Sequence, residues 1–334
     1  MHIPDGYLGL RSSAAMFAAM VPIWVTAARQ ARPVVESRGA PALGLTAAFC
    51  FVVMLFNFPV PGGTTAHVLG AGLAGILVGP SAAIVAITVA LAIQALLFGD
   101  GGLLAFPANC FNIACVMPVA AFAVHQLLSA GQCSQRRRAL AGAAGAYVAV
   151  NLGALSTAVL LGLQPRFEPG HCPYGLSVTI PALLIPHLTV VGFVEAALTY
   201  GVLYALGSTA LGPQTPVFQG TRVRLWQVLG GLCLISPLGL LAAGSAWGEW
   251  APDELRRLTG STPSGLAALS GTWSTWLAGY SMPGVPSGAI GYVPTRRRAA
   301  GSAAPAAAAD THSTTIRNTN RKIAFITGTS IRVF

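Results

Sequence analysis

The sequence opens Met1-His2-Ile3-Pro4-Asp5-Gly6-Tyr7, and its first two residues can chelate. A free amine on Met1, the backbone amide nitrogen of His2 and the His2 imidazole close adjacent five- and six-membered rings around one metal ion. With the amide deprotonated, this donor set favours ions that accept square-planar nitrogen coordination, Ni(II) and Cu(II) first and Co(II) behind them. One more nitrogen closes the square. His67, in Pro61-Gly62-Gly63-Thr64-Thr65-Ala66-His67, is the candidate. It lies in an apolar stretch where an imidazole without a partner is costly, and ionisable groups in such surroundings are functional candidates by default. Because the ligands must lose protons, binding is expected to tighten as pH rises.

Other polar residues in apolar surroundings are few. Asp5, Asn109, Asn112 and His187 are weaker candidates to brace the ligands, since a ligating imidazole usually donates its other N–H to a fixed acceptor. The two asparagines serve equally well as ties between helices. Glu195 follows His187 by two helical turns and about 80° of rotation, so the two are not a direct pair. His171 and Cys172, in a loop from Gln164 to Tyr174, are left outside the site. The six cysteines, Cys50, Cys110, Cys115, Cys133, Cys172 and Cys233, form no C-x-x-C pair and are read mostly as small buried thiols.

The elements that must position these groups are transmembrane. Of 334 residues, 54% are hydrophobic and only 8% charged, where a soluble domain carries about a quarter charged residues. Apolar runs of roughly 20 residues recur almost end to end. They predict an all-α, polytopic transmembrane helical bundle of about seven spans, with one more in an accessory portion. The expected spans are 12–28, 41–58, a third from His67 to Gly79, then 81–98, 103–128, 139–163, 177–206 and 225–246. Pro59, Pro61, Gly62 and Gly63 break the chain before the third span, Thr64 or Thr65 caps it, and His67 falls in its first turn. Gly70, Gly72, Gly75 and Gly79 would let that helix pack closely, as would alanines four apart in the first span, Ala14 with Ala18 and Ala15 with Ala19.

Basic loops at Arg29, Arg32 and Arg38, at Arg136-Arg137-Arg138, and at Arg222 and Arg224 read as cytoplasmic, which places Met1 at the outer face. No cleavable signal peptide is expected, because Asp5 stands where a basic leader would lie. Trp247-Gly248-Glu249-Trp250 opens a short polar region on the outer side, with aromatics at the interface. Residues 295–334 read as a disordered tail holding seven of the nineteen Lys and Arg and one of the nine Asp and Glu. The net charge of +10 therefore implies no nucleic-acid surface. Lys322 is the single lysine and no Gly-rich phosphate loop precedes it, so no ATP site of that kind is expected. Nor is there a nucleophile–base constellation, which argues against an enzyme.

Met1 to Leu8 resembles the start of the CbiM/NikM family, the substrate-capturing components of cobalt and nickel energy-coupling-factor transporters. The resemblance continues through the segment around His67, Leu77-Val78-Gly79-Pro80-Ser81, Gln94 to Gly102, Asn109, Asn112 and Pro186-His187 to Glu195, covering roughly residues 1–246. It implies a bundle whose N-terminal loop inserts from outside, with Ni(II) or Co(II) as transported substrate. The ion would be bound by the terminal amine, the His2 amide and imidazole, and His67. It also implies a CbiQ-like transmembrane scaffold subunit, a pair of CbiO-like ATPases, in some members a CbiN/NikN-like subunit, and residence in the cytoplasmic membrane. The alanine pattern of the first span resembles a docking stripe for the scaffold. Residues 1–224 form the metal-binding transmembrane domain on this reading, 225–282 a fused accessory portion and 283–334 the tail. The accessory portion departs from pattern, because the second span usual there is absent. Competing readings are a gradient-driven stand-alone divalent metal permease, a membrane scaffold or sensor whose Met-His start is incidental, and a subunit that captures an organic vitamin.

Overall fold

The computed structural model describes residues 1–38, 40–55, 57–60, 64–131, 134–207, 249–271, 273 and 275. The expected span at 225–246 and the tail at 283–334 lie outside the described residues. Within them the chain folds as a helical bundle, as its composition requires of a membrane-spanning protein. Five helices are long and apolar enough to cross a membrane. They are α1 (Leu10–Arg38), α4 (Pro80–Phe98), α5 (Phe106–Leu128), α6 (Gln135–Phe167) and α7 (Leu176–Leu206). Two shorter helices, α2 (Ala40–Met54) and α3 (Ala71–Val78), complete the bundle. Two more, α8 (Pro252–Thr259) and α9 (Ser264–Leu269), belong to the segment that follows.

Helix α6 packs against both α5 and α7, α3 packs on α5, and α4 packs against α1 and α2. The largest apolar core runs through Phe49, Leu73, Ile87, Leu91, Ile113, Met117, Val150 and Leu203. The close approach expected along α3 is present: a methyl group on Gly75 would stand 2.6 Å from the Pro118 Cα of α5.

Three features differ from the sequence expectation. His67 does not sit in a helix but ends a two-stranded antiparallel hairpin, β1 (Asn57–Val60) and β2 (Thr64–His67), in register Asn57 with His67 and Val60 with Thr64. The residues that follow the proline- and glycine-bearing break pair back onto Asn57–Val60 as a strand instead of starting a helix. α3 starts only after Gly70, which adopts a left-handed conformation (φ 66°) that glycine enters at little cost. The third span is consequently eight residues long, half a crossing. Finally, Arg29 and Arg32 lie within α1, and Arg136 to Arg138 within the first turn of α6, so these arginines mark helix ends and not loops.

The long helices are interrupted by π-helical turns at Gln94–Phe98, Cys110–Val116 and His187–Val191. Such turns insert an extra residue into the helical repeat and re-aim the side chains around it. Here they accompany Gln94, Asn112 and His187, all buried.

Candidate metal centre

The N-terminal segment does not trail into solvent. Ile3, Tyr7 and Leu8 are buried in a second apolar cluster with Ala105, Ala108, Leu161, Leu183, Leu255 and Leu266. Apolar burial alone does not fix a backbone, and polar contacts do so nearly residue by residue. Asn109 of α5 grips the Ile3 peptide from both sides, Ile3 N donating to Oδ1 at 2.7 Å and Nδ2 donating to Ile3 O at 3.1 Å. The Gly102 N–H adds a bond to the same carbonyl at 2.9 Å.

The Asp5 carboxylate accepts from the N–H groups of Leu103, Leu104 and Ala105 at 2.8 to 3.2 Å, just where α5 begins. It thereby satisfies the backbone donors of the turn leading into the helix, in a position where negative charge is favoured. His171 Nδ1 lies 2.9 Å from Gly6 O, Tyr7 donates its hydroxyl to Trp250 O at 3.0 Å, and Gly9 N donates to Gln164 Oε1 at 3.0 Å. Glu168 then caps α1 by accepting from Arg11 N, Ser12 N and Ser12 Oγ.

This anchoring delivers the terminal amine to the end of the hairpin. Met1 N stands 3.1 Å from His67 Nε2. The His2 and His67 rings stack with centroids 4.8 Å apart and planes 11° from parallel. His2 Nε2 and His67 Nδ1 are both buried with no hydrogen-bond partner, and His2 Nδ1 lies 3.6 Å from Asp100 Oδ1. Burial, partly offset by Asp100 and reinforced by His67 and the amine, lowers the His2 pKa to about 4. Its imidazole is therefore neutral at physiological pH, the form that binds metal.

His67 is held by its chain neighbours. Glu195, buried in α7, accepts from the N–H groups of Leu69 and Gly70, the two residues that join β2 to α3. A carboxylate of the inner bundle thus fixes the backbone two residues beyond the imidazole.

A third group converges that the sequence did not announce. Glu249 Oε1 accepts from the Met1 amine at 2.8 Å and from the His2 amide N–H at 3.0 Å, and lies 3.8 Å from His67 Nε2. Among the described residues, His2, His67 and Glu249 form a cluster whose possible ligand atoms all lie within 4.8 Å of one another. Their relative exposures are 3%, 7% and 8%, so a cation between them would be screened from water. Burial pushes the Glu249 carboxyl upward, but the amine and the two histidines outweigh it and hold it well below the usual carboxylate range. In the sequence Glu249 is one of several charged residues of the short polar region that opens at Trp247, and nothing there sets it apart.

The remaining candidates are placed as follows. Met1, His2 and His67 come together, while Asp5 and Asn109 act one step away by fixing the loop that carries the first two. Asn112 accepts from Ser156 Oγ at 2.6 Å, a tie between α5 and α6. His187 directs Nδ1 to Leu183 O at 2.6 Å and lies within electrostatic range of the Met1 amine, His67 and Glu249.

The family model for the cobalt uptake substrate-specific transmembrane region, CbiM, matches residues 2–211. The fused nickel transport protein NikMN of Rhodobacter capsulatus is 41% identical over 319 residues, covering 88% of this chain and 92% of that protein. A protein described as a probable fused nickel transport protein, LarMN, of Lactiplantibacillus plantarum is 40% identical over 308 residues, with the same coverages of 88% and 92%. Among solved structures, that of a truncated transition metal transporter aligns with a TM-score of 0.58 at 46% identity, covering 62% of this chain and 98% of that one.

Proposed function

The chain belongs to the CbiM family of cobalt-uptake, substrate-specific, multi-pass membrane proteins, and from that premise we propose that it captures Ni(II) or Co(II) for an ATP-driven energy-coupling-factor importer. The donors are the Met1 amine, the His2 amide and imidazole, and His67 Nε2. One observation carries this reading: a chain terminus and a histidine 66 residues away approach to 3.1 Å inside the protein. Holding two basic groups that close in a buried place is unfavourable unless an anion or a cation-binding role compensates. Nickel is the favoured substrate, because the two fused relatives named above carry nickel in their descriptions and a four-nitrogen set ranks nickel above cobalt.

The finer assignments belong to the same proposal. Residues 1–224 are the metal-binding unit, 225–282 a fused accessory portion and 283–334 a tail without a role in binding; the fused relatives' 88% coverage of the chain supports the fusion. Met1 faces the outer side of the cytoplasmic membrane. A CbiQ-like scaffold and a CbiO-like ATPase pair supply the power stroke, so the chain itself is not an enzyme. The alanine stripe of α1 is the surface offered to the scaffold.

The test is to purify the protein with its authentic N terminus and with one residue added ahead of Met1. Nickel and cobalt content of both are then measured. The authentic form should hold one equivalent and the extended form close to none, since the added residue converts the amine to an amide. Stoichiometric metal in the extended form would remove the chelate. Reconstitution alone in vesicles provides a second arm: uptake without any ATPase would favour the gradient-driven permease.

A further inference from the structure

Of the proposed donors, Met1 and His2 are carried by the inserted loop, whereas His67 is the last residue of a hairpin whose strands are four residues each. Two short strands alone are marginally stable. Pairing with Asn57 holds His67 from one side, and the chain beyond it must be held from another. There Val68, Leu69 and Gly70 belong neither to β2 nor to α3, so neither a ladder nor a helix supplies partners for the Leu69 and Gly70 N–H groups.

One side chain takes both. Glu195 Oε1 accepts from Leu69 N and, at 3.2 Å, from Gly70 N, and Oε2 lies 3.3 Å from Gly70 N. Glu195 is 1% exposed, and a carboxylate inside an apolar bundle is costly unless its oxygens are bonded. The start of α3, where the helix dipole is positive, is a place that compensates it.

The helix that carries Glu195 is shaped for this contact. In an unbroken α-helix Glu195 and His187 would stand about 80° apart. The π-helical turn His187–Val191 lies between them. Its inserted residue takes back about 100° and leaves the two within about 20° of each other. One face of α7 therefore presents both His187, within electrostatic range of the Met1 amine and His67, and Glu195, bonded to the backbone just beyond His67.

We propose that Glu195 is the positioning residue for His67. By holding the two N–H groups beyond the hairpin it sets where the fourth nitrogen stands, so retention of the ion depends on a contact of α7 that never touches metal. The inference rests on the four-nitrogen reading and deepens it. Metal–donor distances tolerate only about 0.2 Å, and a joint that has lost both bonds cannot hold the imidazole to that tolerance.

The experiment uses the full chain with its authentic N terminus and nickel alone as the probe. Wild type, Glu195→Gln, Glu195→Ala and His67→Ala are compared with the two Glu195 substitutions made in the His67→Ala background. Titration calorimetry gives the affinity of each, and the X-ray absorption edge shows whether the shoulder of planar nickel is kept. Glu195→Ala should weaken nickel binding by about 10- to 100-fold, as loss of a group that orients a ligand does, and its edge should match that of His67→Ala. Glu195→Gln should lose about 3- to 10-fold, the worth of one hydrogen bond, since a single amide oxygen can still accept from both N–H groups. In the His67→Ala background neither substitution should change affinity by more than about twofold, the uncertainty of such cycles.

Wild-type affinity in Glu195→Ala would overturn the proposal. So would an equal loss with and without His67, the mark of general damage to the bundle. The glutamine pair gives the same decision if the alanine variant does not fold. Full nickel retention by His67→Ala would instead remove the four-nitrogen reading itself.

Discussion

A chelating imidazole must be neutral before it can bind, and burial of His2 arranges this by holding its pKa near 4. In the chelate proposed above, the imidazole would then compete for metal without first losing a proton. What remains is to hold the His2 peptide still, and that task falls to Asn109, which makes two hydrogen bonds to the adjoining Ile3 peptide. Replacing it with alanine leaves the buried Ile3 N–H without its acceptor while removing no ligand. Nickel affinity of Asn109→Ala should fall by about 10- to 100-fold, the usual consequence of losing a group that orients a ligand, with stoichiometry at saturation unchanged. Titration calorimetry distinguishes this from an unaltered affinity, which would reduce Asn109 to a packing residue. The sequence offered Met1 and His2 as candidates because the proposed chelate is local. It offered His67 because imidazole in an apolar run needs a reason. Glu249 stayed hidden because its connection to Met1 spans 248 residues and has no periodicity or spacing to betray it.

At the scale of elements, the site depends on three short pieces that meet at right places: the N-terminal loop, the β1–β2 hairpin and the turn ahead of α5. The hairpin was not legible. Pro59, Pro61, Gly62 and Gly63 declare a break, but whether the following residues continue as helix or return as strand depends on pairing with Asn57–Val60, which single-sequence periodicity cannot weigh over four residues. The turn ahead of α5 closes the Gln94 to Gly102 stretch that carries part of the family resemblance, and the structure supplies the reason for Gly102. A methyl group there would overlap the Asp5 carboxyl and the Asp5 N, both part of the inserted loop. Gly102→Ala should therefore expel residues 1–8 while the bundle remains helical. Its expected signature is loss of bound nickel, with unchanged far-ultraviolet circular dichroism and a newly reactive terminal amine toward a membrane-impermeant acylating reagent. Retained nickel with a protected amine would show that the loop can yield by a few tenths of an ångström.

For the molecule as a whole, the importer proposed above requires the metal cluster and its ATPase partners to communicate through helix packing. The bundle divides its surfaces accordingly. Half of the apolar windows of α4 and α6 is buried inside the protein, whereas α1 buries only 17% of its own. On α1, Ala14, Ala15, Ala18 and Ala19 are all exposed, forming two stripes of small side chains that the other described residues leave uncovered. Small residues four apart allow a second helix to approach until backbones nearly touch, and in lipid that packing replaces the hydrophobic drive available in water. Lipid facing such a stripe gains little, so a partner helix is the occupant that its shape suits. Ala18→Trp should fill the groove, and it lies on a face that makes no contact with His2, His67 or Glu249. The variant should bind nickel as wild type does, while ATP-dependent uptake by cells expressing the whole transporter falls at least about tenfold, as the loss of more than ~1.4 kcal/mol of association requires. Wild-type uptake would move the docking surface off α1. Lost nickel binding would mean instead that α1 supports the site from within, through Glu168 and Gln164, whose bonds to Ser12 and Gly9 already tie the start of this helix to the inserted loop.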